Sequence, residues 1–195
     1  GGVTRVIENT LEALASSEHD VETVVLTGRK YAGDRIRKHQ VVDGLDYATP
    51  NHAVDPGLLM ERMKNAARNS LGGAPDLWHV HNHSLGKNPS LTKATAKLAE
   101  EGEFILLHPH DFAEDGRPDN FKALEKVYDH AYPACARIRY AALNNRDRLF
   151  LDDLFGGTST EVHLLANPIR ENESSMTDET VNTSIPENLI LYPVR

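Results

Sequence analysis

A single cysteine, Cys135, stands in 195 residues, so no internal disulfide can form. That fits a reducing compartment, and the expected location is the cytoplasm. Its neighbours Ala134 and Ala136 supply no base, so Cys135 reads as a packing residue rather than a nucleophile. Positive charge is also scarce: 21 Lys and Arg against 29 Asp and Glu give a formal charge of −8. Phosphate backbones are bound by clustered cations, so no nucleic-acid partner is expected. No apolar run approaches the roughly 18 residues that cross a bilayer. No secretory signal is visible either. Peripheral membrane contact and oligomeric state stay open. What the chain does have is 39% hydrophobic residues, enough for a buried core.

Their spacing alternates between two periods. Val3, Val6, Ile7, Leu11 and Leu14 recur at helical spacing, which predicts a helix over 3–17. Residues 21–26 read as a strand, 28–38 as a polar loop, and 41–42 and 45–47 as short strands around Gly44. Asp55-Pro56 is a cap followed by proline at the first helical position, and that helix should run to about Ser70, before Gly72-Gly73. Asn88-Pro89 repeats the signal for a helix ending at Glu101, with Gly102 as its stop. Further strands are expected over 77–82, 103–107, 138–143 and 162–166, and further helices over 118–129 and 146–155. Strands alternating with helices imply parallel βαβ units. The expected fold class is α/β, a Rossmann-like doubly wound parallel sheet with helices on both faces.

Residues 170–186 break this pattern with Glu, Ser, Thr and Asn, and residues 188–195 resume it as a strand ending in Arg195. The expected organisation is a Rossmann-like domain over 1–168, a linker or loop over 169–187, and the first strand of a second domain over 188–195. A glycine pair entering a helix ordinarily follows a strand, so the chain reads as a piece of a larger enzyme whose first strand is missing.

Ligands of open α/β sheets bind beyond the carboxyl ends of the strands. Three groups fall there. Gly1-Gly2 opens a helix whose free N–H groups suit a phosphate, or else forms a tight turn. His79, His81 and His83 alternate along a strand and share a face if the strand persists. They read as a metal site, as partners of sugar hydroxyls, or as packing; the preferred reading packs His79 under a helix and gives His83, beside Asn82, a binding role. The most specific group is the strand 104–107 running into His108-Pro109-His110-Asp111 and on to Arg117. There Asp111 can orient an imidazole, and Arg117 can hold an anion or pair with Asp115. Asn145 sits at another strand end, as a binding residue or a helix cap.

In order along the chain, Gly1-Gly2-Val3, Asp76-Leu77-Trp78-His79-Val80-His81, Leu107-His108-Pro109-His110-Asp111, Asn167-Pro168-Ile169 and Leu191-Tyr192-Pro193-Val194-Arg195 resemble the N-terminal half of a GT-B glycosyltransferase. The resemblance is to the large retaining group that includes sucrose synthases and bacterial mannosyltransferases. It implies transfer of a sugar from a nucleotide-sugar donor to a carbohydrate or small hydroxylated acceptor, with retention. It implies no cofactor and no required metal. The implied catalytic residues are His110, with Asp111 beside it, and His108 as the alternative. Gly1, Gly2 and Arg195 would hold the donor diphosphate, although the resembled proteins usually have Gly-Arg where this chain has Val194-Arg195. His83, Asn82, Arg117 and Asn145 are the candidates for acceptor or sugar. An isolated fragment would be inactive. Two other readings use the same residues: a metal-dependent hydrolase built on His79/His81/His83 and His108/His110/Asp111, and a non-catalytic Rossmann-like binding module.

Overall fold

The computed structural model describes residues 2–48 and 53–168. Gly1 and residues 169–195, with Ile169, the expected linker, the terminal strand and Arg195, lie outside the described residues.

The chain opens with helix α1, Gly2–Ala15, which buries Val6. Polar contacts anchor it: Glu8 accepts from the Tyr31 hydroxyl at 2.8 Å and from Arg35 at 2.9 Å. Asn9 donates to the Pro168 carbonyl at 2.9 Å, joining the start of the described body to its end. Strand β1, Val25–Thr27, pairs in parallel with β2, His39–Val41. The strand expected over 21–26 is thus short and shifted, because β2 offers partners only opposite 25–27. The strand expected over 45–47 does not form. Gly44 turns the chain with φ +98°, and the Asn88 amide occupies the carbonyls of Gly44 (2.8 Å) and Asp46 (2.7 Å) that a ladder would need.

Helix α2, Pro56–Leu71, begins and ends where its caps dictate. Asp55 accepts from the Leu58 N–H at 2.9 Å, and left-handed Gly72 donates to the Arg68 carbonyl. The remaining strands are β3, Trp78–His81; β4, Ile105–His108; β5, Ile138–Ala142; and β6, Glu161–Leu164. They form one parallel sheet in the order β3-β4-β5-β6. The crossovers are α3, Pro89–Glu100; α4, Pro118–Glu125; and α5, Asn145–Leu154. The helix expected to reach 129 stops at Glu125, and a separate 3₁₀ turn covers Tyr128–His130. Parallel strands joined through helices make this a Rossmann-like α/β fold, as the alternating pattern implies. Among the described residues, no helix is long and apolar enough to cross a membrane.

Register divides the sheet into two faces. Trp78, Val80, Ile105, Leu107, Ile138 and Tyr140 point to one side, where they join Leu59, Met63, Leu98, Leu151 and Phe155 from α2, α3 and α5 in the main core. His79, His81, Leu106, His108 and Arg139 alternate with them and share the other side.

Candidate functional site

The carboxyl ends of β3 and β4 are organised by one residue. Asn82 follows β3 with φ +54°, a left-handed conformation that asparagine tolerates better than most side chains. Its N–H donates to the His108 carbonyl at 3.1 Å, extending the ladder by one bond. Its side-chain oxygen accepts from the backbone of His110 at 2.7 Å and of Asp111 at 3.3 Å. The loop after β4 is therefore pinned to the end of β3 through Asn82. Phe112, 8% exposed, fixes the far side of that loop by packing edge-to-face on Phe150 at 5.2 Å.

The left-handed turn at Asn82 also decides where the histidines go. His79 and His81 sit on the alternating face, whereas His83 is carried off it. His83 is 1% exposed, and its Nε2 lies 2.8 Å from the Ala131 carbonyl in the core. Three imidazoles in a row required the strand to persist, and it ends at His81. The structure thus gives His83 a packing environment in place of an open binding surface. His79, expected beneath a helix, faces a second histidine.

Four imidazoles gather across β3 and β4. His79 Nε2 lies 3.2 Å from His108 Nδ1, and His81 Nδ1 lies 2.8 Å from His110 Nε2. The His108 and His110 rings stack at 4.3 Å between centroids. His79, His81 and His110 are half-buried, and His108 is 1% exposed. Burial holds the His79 pKa down to about 4, His108 to about 3 and His81 to about 2, each lowered further by neighbouring imidazoles. Burial lowers His110 as well, against the pull of Asp111. Each contact then joins two neutral rings, one donating its N–H and one accepting. His108 also meets the backbone of Leu165.

Asp111 does not reach an imidazole. Its carboxylate accepts from Arg117 at 2.5 Å, which answers what Arg117 pairs with. Asp115, the alternative partner, takes a two-pronged contact from Arg146 at 3.0 and 3.1 Å. Asn144, not Asn145, caps α5, accepting from the Asp147 N–H at 2.9 Å; Asn145 is the first helical residue and is exposed. Gly2 begins α1 with open space around it. Gly1 and Arg195 fall outside the described residues.

The structure brings together Asn82, His108, His110, Asp111 and Arg117, adds His79 and His81, and removes His83. The two histidine triads read along the sequence are therefore not the spatial units. The role of Asn82 was hidden because its signal is conformational, although asparagine just beyond a strand is a fair hint of a left-handed turn. A separate shallow hollow of ≈ 280 Å³ lies at the opposite, amino-terminal end of the strands, lined by Leu77, Phe104, Leu106 and Arg137 among others. It is mostly apolar and holds none of the residues above.

Over 160 residues the chain is 27% identical to mannosylglucosyl-3-phosphoglycerate synthase of Petrotoga mobilis. The match covers 75% of this chain and 31% of that protein, so the chain spans about a third of its relative's length. No family model matches, and neither does a solved structure. The chain is thus distantly similar to a synthase named for a glycosylated phosphoglycerate.

Proposed function

We propose that the protein transfers a sugar from a nucleotide-sugar donor to an acceptor hydroxyl, with retention of configuration. The supporting observation is the pinned loop at the carboxyl ends of β3 and β4, carrying His110, Asp111 and Arg117, in a chain similar over 75% of its length to a synthase of a sugar-bearing product. Such strand ends are where open α/β sheets place ligands.

In this reading His110 contacts the transferred sugar. Its ring is set by His81 behind it and by Asn82 at its backbone, so it needs little reorganisation on binding. Neutral at pH 7, it offers a hydrogen bond without a competing charge. Asp111 fixes the same loop through Arg117, and His108 supports His110 from beneath. The amides at the start of α1, with Gly1 and Gly2, would meet the donor diphosphate, as would Arg195. Stabilising the charge that develops on the departing diphosphate is then the main source of rate. In this reading Asn82, Arg117 and exposed Asn145 are the polar groups that would meet the acceptor. On the same reading the body over 1–168 is the acceptor-side lobe.

The test is nucleoside-diphosphate release by the full-length protein against a panel of nucleotide sugars and hydroxylated acceptors. His110→Ala should lower kcat at least a hundredfold and leave donor affinity within a few-fold, roughly the scale of losing one transition-state contact. Equal turnover in the variant, or no release with any donor, overturns the proposal.

A further inference from the structure

The imidazole cluster has more nitrogen than the proposed transfer reaction uses. His79 and His81 lie behind His110, and neither is placed against a reacting group. One donor atom from each of His79, His81 and His108 lies within 4.8 Å of the other two. His79 Nε2 and His108 Nδ1 stand 3.2 Å apart with a single proton between them. Two lone pairs that share a proton are placed to share a metal ion instead. Zinc–imidazole bonds of about 2.0–2.1 Å at the tetrahedral angle put two nitrogens about 3.3 Å apart, close to the spacing found. His81 then needs a shift of about 1–2 Å to complete a three-nitrogen face, within reach of a rotation about its side-chain bonds.

We propose that His79, His81 and His108 form a binding site for one divalent transition-metal ion of the zinc class, on the half-buried face of the sheet.

The donor set selects the ion. All three ligands are imidazoles, and Asp111, beside His110, is engaged by Arg117. Nitrogen ligation favours zinc, copper, nickel or cobalt over the oxygen-seeking magnesium and calcium. The strands supply the rigidity. His79 and His81 share one strand face, and register places His81 directly opposite His108. His110 completes the surroundings: it contacts His81 Nδ1 at 2.8 Å, the outer hydrogen bond that orients a metal-bound imidazole. His79 and His81 are only half-buried, which leaves an approach for the ion. His108, 1% exposed, is held by the backbone of Leu165 as well as by its ring neighbours. The site draws on geometry alone and does not depend on the sugar-transfer reading.

The experiment is zinc binding by untagged protein, measured by equilibrium dialysis with elemental analysis and by calorimetry. One zinc per chain is expected. His79→Gln and His81→Gln, at half-buried positions, should each weaken binding at least about tenfold with an unchanged circular dichroism spectrum. His19→Gln, in an exposed position after α1, should leave affinity unchanged. Cobalt in place of zinc should give the intense visible absorption of tetrahedral nitrogen ligation, lost in His79→Gln. Zinc affinity indifferent to both His79→Gln and His81→Gln overturns the site. So does the absence of stoichiometric zinc, or a weak octahedral cobalt spectrum.

Discussion

The two faces of the four-stranded sheet are written by alternate residues of the same strands, yet they do opposite things. One face, with Val80, Ile105, Leu107, Ile138 and Tyr140, is apolar and sealed beneath α2, α3 and α5. The other, with half-buried His79, His81, Leu106 and Arg139 around buried His108, is mostly polar. The first face stabilises the fold; the second gathers aromatic nitrogen. A period of two residues suffices to separate the tasks.

The sharpest way to test that separation is with adjacent leucines. Leu107→Ala, on the sealed face, should cost about 3–4 kcal/mol in urea denaturation, a buried leucine with its cavity. Leu106→Ala, one residue away and half-buried, should cost about 1 kcal/mol. Equal losses would show that the second face is packed as tightly as the first.

Acid should attack the histidine face and, with it, core-buried His83, whose pKa burial holds down to about 4. The unfolded imidazoles protonate near pH 6.5, whereas burial holds His79 to about 4 and His108 to about 3 in the fold. Above pH 6.5 neither state takes up protons there, and stability should be flat. Between 6.5 and the lowered values the unfolded chain binds protons that the fold refuses, so stability falls as pH falls, by roughly 1.4 kcal/mol per pH unit for each such ring. Urea midpoints measured on metal-free protein from pH 7.5 to 4.5 would check this, and a flat profile would mean that water reaches the rings.

Two smaller changes probe how the second face is held. Asn82→Ala removes two hydrogen bonds to the His110–Asp111 backbone and should cost about 1–2 kcal/mol, together with a drop in turnover. If stability and turnover are both unchanged, the loop is held by Phe112 alone. Arg139→Ala breaks a solvent-facing pair with Glu161 at 3.0 Å and should shift stability by about 0.5 kcal/mol or less. A larger loss would give that edge of the sheet an unexpected part in the core.

How much of this can be read along the chain depends on the range of the forces involved. The two helix starts at Asp55-Pro56 and Asn88-Pro89 are local events, and both begin where the caps place them. The βαβ alternation is local too, since it rests on runs of apolar residues. The segments 21–24 and 45–47 fail because a strand needs a partner. β2 is too short to serve the first, and a side chain from 43 residues onward takes carbonyls of the second, as Asn88 reaches Leu45's neighbours Gly44 and Asp46. The loop after β4 stands out in sequence by its density of polar residues. Which of them meet is set by distance in space: Arg117 holds Asp111, while Arg146 of α5 holds Asp115. The pairing of His79 with His108 follows from a register that no single strand encodes.

The backbone at Asn82 acts as an address label for the ring that comes after it. With φ at +54° the next imidazole is delivered indoors, to the Ala131 carbonyl. A residue that refuses this hand, such as valine, would send the strand straight on and deliver the same ring outdoors, as a third neighbour of His79 and His81. Whether this protein presents two histidines in file or three is therefore decided by one torsion angle, and not by how many histidines it encodes.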